Sequence, residues 1–122
     1  MRRAGRIDAN QTALVDLLRF VGASVAITSG AGNGLPDLLV GFYGDTFLLE
    51  VKDGAKVPSA RKLTKDEQFF VDNWTGRPVA IVEHEIQALR AIGLSETEAR
   101  MAFIEFLKPK KARKEDAPST VE

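Results

Sequence analysis

The chain has 122 residues, 44% of them hydrophobic, with 17 basic and 17 acidic side chains and a formal net charge of zero. That is enough for one domain with an ordinary core, and the charge balance argues mildly against a non-specific polyanion binder. There is no cysteine, which excludes disulfides, thiolate zinc sites and cysteine nucleophiles and fits a reducing cytosol. No apolar run approaches the roughly 18 residues that a membrane span needs. The basic start MRRAGRIDANQ leads into no apolar segment, so no secretory signal is expected.

In chain order, residues 8–21 place Leu14, Leu17, Leu18 and Val21 at helical spacing and predict a first helix. Asp8 and Gln11 are spaced as a capping box, and Gly22 suits the exit. Residues 24–28, SVAIT, form a short β-branched run that reads as a buried strand. SGAGNG follows as a flexible loop. Residues 37–42 and 47–52 predict the two strands of a hairpin around Tyr43-Gly44-Asp45-Thr46. A polar loop, DGAKVPSARK, leads to a second helix starting at Leu63-Thr64, with Glu67 and Gln68 near its first turn. Phe69, Phe70 and Trp74 are its expected buried face. TGRP ends that helix. Residues 79–82 predict a fourth strand and 84–92 a third helix closed by Gly93. Ser95 with Glu98 opens a fourth helix that runs to Leu107.

From Pro109 the chain is charged and rich in small residues, which predicts a disordered tail. The expected organisation is a single domain over residues 1–107 and a tail over 108–122. The order α-β-β-β-α-β with two added C-terminal helices predicts an α/β fold, a mixed sheet with helices on its faces.

The hairpin carries the chemistry. Asp37 opens its first strand, and Glu50 and Lys52 sit two apart near the end of the second, so they share a face while Val51 points opposite. The flanks Leu-Leu-Val and Phe-Leu-Leu predict buried strands, where a carboxylate is costly unless paired or metal-bound. Two carboxylates and an amine so placed can hold a divalent cation and handle a water, the minimum for metal-assisted phosphodiester hydrolysis. Basic residues gather at Arg2, Arg3 and Arg6. A second group is Lys52, Lys56, Arg61, Lys62 and Lys65, and a third is Lys108, Lys110, Lys111, Arg113 and Lys114. Each cluster alone is ordinary solvated surface; together they can line a polyanion.

Pro36-Asp37 followed by Glu50-Val51-Lys52 resembles the PD-(D/E)XK nuclease signature in order and spacing. The predicted element order resembles the restriction-endonuclease-like αβββαβ core of that superfamily. More narrowly, four segments resemble the small stand-alone VRR-NUC type of phages and bacteria, over roughly residues 7–92. They are Asp8-Ala9-Asn10-Gln11, Gly34-Leu35-Pro36-Asp37, Glu50-Val51-Lys52-Asp53-Gly54, and Leu63-Thr64 with Gln68.

The resemblance implies an Mg²⁺- or Mn²⁺-dependent endodeoxyribonuclease. Asp37 and Glu50 would bind the metal with the Val51 carbonyl, hard oxygen ligands suited to hard cations. Lys52 would orient or deprotonate the attacking water. Gln68 would lie close by and support Lys52 or the substrate. The first helix of this group often supplies an acidic residue, for which this chain offers Asn10, which is not ionisable, or Asp8, which also reads as a cap. Lys56, Arg61, Lys62 and Lys65 are the expected DNA contacts.

The resemblance also implies a homodimer acting on branched DNA such as four-way (Holliday) junctions, in a bacterial or phage-infected host cytosol, with no nucleotide cofactor and no membrane. Geometry agrees with a dimer, because a chain this small carries one site and paired incisions need two. Met101, Phe103, Ile104, Phe106 and Leu107 crowd the last helix, giving either extra core or a partner surface. Two other functions fit the same residues: a non-catalytic DNA-binding module on a nuclease fold, and a nuclease acting on linear or single-stranded ends. His84, the only histidine, reads as a surface or helix-start residue. The loop Ser29-Gly30-Ala31-Gly32-Asn33-Gly34 lacks the GxxxxGK(S/T) pattern and reads as a hinge beside the site, where its glycines let a ligand approach closely.

Overall fold

The computed structural model describes residues 9–109. Asp8, the three N-terminal arginines, and residues 110–122 of the expected disordered tail lie outside the described residues, whereas Lys108, which opens that tail and its basic cluster, caps the last helix and pairs with Glu105. The elements run α1 (Ala9–Phe20), β1 (Ser24–Ile27), β2 (Leu38–Phe42), β3 (Asp45–Val51), a 3-10 turn (Pro58–Arg61), α2 (Lys65–Asn73), β4 (Ala80–Val82), α3 (Glu85–Ala91) and α4 (Glu96–Leu107).

The four strands form one mixed sheet in the order β1-β2-β3-β4. The first two pairings are antiparallel and β3–β4 is parallel. A parallel pair needs a crossover, and here that connection carries α2. The α/β fold with a mixed sheet therefore stands as the sequence predicts.

Local chemistry sets the boundaries. Tyr43 and Gly44 both have positive φ, 48° and 84°, the backbone of a two-residue hairpin turn whose twist matches its strands. The turn is thus shorter than expected, and β3 begins at Asp45, paired with Phe42. Gly22 ends α1 with φ 101°. Ala23 N–H donates to Leu18 and Gly22 N–H to Arg19, each at 3.0 Å, a Schellman ending. Ser95 with Glu98 forms the expected capping box.

Alternation along the strands sorts the faces. Leu38, Val40, Phe47, Leu49 and Val82 join Leu14, Leu17 and Leu18 of α1 and Ala88 and Leu89 of α3 in one core. Leu39, Leu48, Glu50 and Ile81 therefore point to the opposite face. Two expectations of burial fail. β1 is mostly exposed, with only Val25 half-buried, because it is an edge strand. α2 buries none of its residues: Phe69 is 69% and Trp74 45% exposed. Phe70 stacks on Trp74 at 5.1 Å, and Trp74 lines an apolar cavity with Leu35, Leu39 and Leu48. α2 thus lies on the face away from the main core, which α1 and α3 supply. Among the described residues no helix is long and apolar enough to cross a membrane.

Candidate active site

The pairing register builds the site. Leu38 faces Leu49 at the end of the β2–β3 ladder. One step further sets Asp37 opposite Glu50, on the face away from the main core, since directly opposed residues share a face. The following step sets Val51 opposite Pro36, whose carbonyl is engaged by the Thr28 hydroxyl. The Asp37 side chain takes over: its Oδ2 accepts the Val51 N–H at 2.9 Å. A strand residue directs its N–H and C=O to the same side, so the Val51 carbonyl belongs to the same corner.

Asp37 is held on other sides as well. The Ser29 hydroxyl lies 3.0 Å from both Asp37 Oδ1 and Gln11 Oε1. The Thr28 N–H donates to the Asp37 carbonyl at 2.7 Å, and Thr28 Oγ1 donates to the Pro36 carbonyl at 2.6 Å. The base of the glycine loop is therefore tied down. Gly34, with φ 77°, packs where an added Cβ would stand 2.1 Å from the Asp66 carbonyl oxygen. At Gly34 the first turn of α2 makes the close approach. A cavity of about 300 Å³ remains between them, lined by Gly30, Asn33, Gly34, Asp37, Thr64 and Glu67 among others.

Lys52 Nζ sits 3.4 Å from Glu50 Oε2 and 2.9 Å from Glu67 Oε1. Glu67 was not among the expected site residues; Gln68 was. The Gln68 amide is exposed and donates to Asp72 at 2.9 Å, so the helix presents Glu67 to Lys52 in its place. The signal for Glu67 was its position three after Thr64, the capping-box spacing that aims a glutamate back at the helix start. Ser29 and Gln11 were also missed in this role, because contacts so distant in sequence have no local pattern. Asn10 reaches the site by its amide, which donates to the Lys52 carbonyl at 3.0 Å. It secures the end of the strand and adds no carboxylate.

The expected DNA contacts divide. Lys56, Lys62 and Lys65 are exposed. Arg61 is half-buried and pairs with Glu83 at 3.2 Å, tying the loop that follows β3 to the end of β4. His84 is exposed and occupies the N-cap of α3, as expected.

Electrostatics mark the corner as short of positive charge. Glu50 is only 3% exposed. Burial, then the neighbouring Asp37 and Glu67 carboxylates, push its carboxyl up to about 8 against the pull of Lys52. Burial disfavours the Lys52 charge, but Glu67 and Glu50 outweigh it and hold the amine above the usual lysine value. Burial likewise opposes the Glu67 charge, but the Thr64 N–H and Lys52 outweigh it and keep this carboxyl below the ordinary glutamate value. Glu50 and Glu67 thus share the one Lys52 ammonium, and Asp37 adds further negative charge beside Glu50.

Among the described residues no group of three carboxylate or imidazole side chains is arranged to hold a metal. Asp37, Glu50 and the Val51 carbonyl remain as three hard oxygen donors. Hard oxygen donors are the type that Mg²⁺ takes. Comparison with protein-family models, with curated proteins and with solved structures gave no match.

Proposed function

We propose that this chain is a metal-dependent DNA endonuclease with a restriction-endonuclease-like fold of the VRR-NUC type, hydrolysing phosphodiester bonds in branched DNA such as four-way junctions. One observation carries the reading. Glu50 is buried beside Asp37 and 3.4 Å from Lys52, where its charged form is costly unless cations offset it.

Asp37, Glu50 and the Val51 carbonyl would hold Mg²⁺ or Mn²⁺. Such an ion supplies Lewis acidity toward phosphate oxygens and a more acidic water. Asp37 is oriented for this by Ser29 and the Val51 N–H. Lys52 faces the same corner, where its ammonium offsets charge on the phosphate and orients the attacking water. Lys56, Lys62 and Lys65 would follow the DNA backbone.

Cleavage of four-way junction, flap, duplex and single-stranded DNA with Mg²⁺ or Mn²⁺ tests the reading. Preferential cutting of the junction supports it. Binding to DNA without cutting any of these substrates would reject it in favour of the non-catalytic DNA-binding module. Preference for ends would move the substrate to linear or single-stranded DNA.

Lys52→Ala should lower kcat by about 10²-fold or more, in the range of positioned acid–base groups, while DNA affinity changes by no more than about threefold. Unchanged kcat with much weaker binding would reduce Lys52 to a phosphate contact.

A homodimer is part of the proposal. On α4, Phe103 and Phe106 pack against the core, whereas Met101, Ile104 and Leu107 are 65%, 58% and 62% exposed. The crowded helix thus serves the core on one side and leaves an apolar stripe on the other. Light scattering at micromolar concentration should give twice the chain mass, and Ile104→Glu should restore the monomer. A wild-type monomer that still makes paired, symmetric cuts would refute the dimer.

A further inference from the structure

Glu67 serves two partners at once. Its Oε1 accepts the Thr64 N–H at 2.8 Å, which closes the capping box that starts α2, and accepts Lys52 Nζ at 2.9 Å. Thr64 Oγ1 in turn accepts the Glu67 N–H at 3.1 Å. The carboxylate that pairs with Lys52 is thus fixed by a helix cap, and does not sit on a freely turning side chain.

From this geometry we infer that Glu67 is a positioning residue: it holds the Lys52 ammonium at the reacting phosphate and makes that placement depend on the first turn of α2. The inference rests on the role proposed above for Lys52.

Three observations support it. First, Lys52 follows the last residue of β3. Its backbone is fixed, since its N–H donates to Val82 at 2.9 Å and its carbonyl accepts from Asn10 at 3.0 Å. Its four-carbon stem still leaves the amine several rotamers, and among the described residues Glu50 and Glu67 are the side chains that pair with it. Second, of those carboxylates Glu50 is the one proposed to bind metal, so Glu67 is the partner that stays with Lys52 in a loaded site. Third, the turn bearing Glu67 is wedged against the loop bearing Asp37, because Gly34 leaves no room for a Cβ beside Asp66. Asp37 and Lys52 are thereby set in one frame through α2.

The Lys52 ammonium can be watched directly in a ¹H–¹⁵N spectrum of amine groups, in metal-free buffer and without substrate. Its hydrogens should exchange with water about tenfold faster in Glu67→Ala, the scale of a lost charge-assisted hydrogen bond. Glu67→Gln, which retains a capping-box residue and an acceptor oxygen, should fall between Glu67→Ala and wild type. Thr64→Ala removes the cap and keeps the carboxylate, and should give a smaller increase than Glu67→Ala. With junction DNA and Mg²⁺, Glu67→Ala should lower kcat by about tenfold, with KM within about twofold, and Glu67→Gln should recover part of the rate.

Because α2 buries none of its side chains, these variants leave the core in place, which circular dichroism checks. A folded Glu67→Ala protein whose Lys52 exchange stays within about twofold of wild type would overturn the inference, since a lost charge-assisted bond predicts more. Equal losses of kcat in Glu67→Gln and Glu67→Ala would also overturn it. Faster exchange in a protein that cleaves no DNA would leave the clamp on Lys52 standing and refute the nuclease reading alone.

Discussion

Glu50→Ala should lower metal-dependent cleavage by about 10³-fold or more, because a lost metal ligand forfeits several kcal/mol of charge stabilisation at the phosphate. It should also abolish the heat of Mg²⁺ binding in calorimetry. The fold should survive, since the substitution removes a buried carboxyl flanked by two others. Asp37 is expected to be equally necessary for cleavage but not equally dispensable for folding. Its two oxygens accept from Val51 and Ser29, so Asp37→Ala strips a partner from a backbone N–H and should cost about 1–3 kcal/mol in stability. Asp37→Asn is the cleaner test, because its amide oxygen can keep one of those bonds. Wild-type cleavage by either Glu50→Ala or Asp37→Asn would refute the site.

The elements that were legible in the sequence owe their form to neighbours. Thr64 and Ser95 start α2 and α4 with a glutamate three residues on, and Gly22 and Gly93 follow α1 and α3 with positive φ. These are contacts within a few positions, and sequence spacing encodes them. The Glu50–Lys52 face was legible for the same reason, since alternation fixes it without knowledge of the fold. What was not legible depends on which layer an element joins. Phe69, Phe70 and Trp74 read as a core stripe, yet α2 sits on the sheet face opposite α1 and α3. β1 reads as buried, yet it ends the sheet. Gln68 and Glu67 differ by about 100° around the helix, and only the packing of α2 against the glycine loop decides which of them meets Lys52.

The buried carboxyl has a second expected consequence, in stability against pH. Glu50 titrates near 4.5 when unfolded and at about 8 in the folded, metal-free protein. A group whose pKa rises on folding favours the native state while it holds its proton. That contribution is complete below about pH 4.5, declines as pH climbs, and is gone above about pH 8. The interval corresponds to at most roughly 5 kcal/mol. Other carboxyls add their own dependence at low pH, so the comparison to make is between wild type and Glu50→Gln. Urea unfolding in chelator should show the wild type losing stability relative to the variant from pH 5 to pH 8, with no further divergence beyond. Adding Mg²⁺ at pH 8 should restore much of the loss in the wild type, because an ion that binds only the folded form stabilises it, and little in Glu50→Gln. Parallel stability curves for the two proteins across pH 5 to 8 would mean that Glu50 is already charged without metal, and the buried corner would then lack the cation-seeking character on which the proposed chemistry depends.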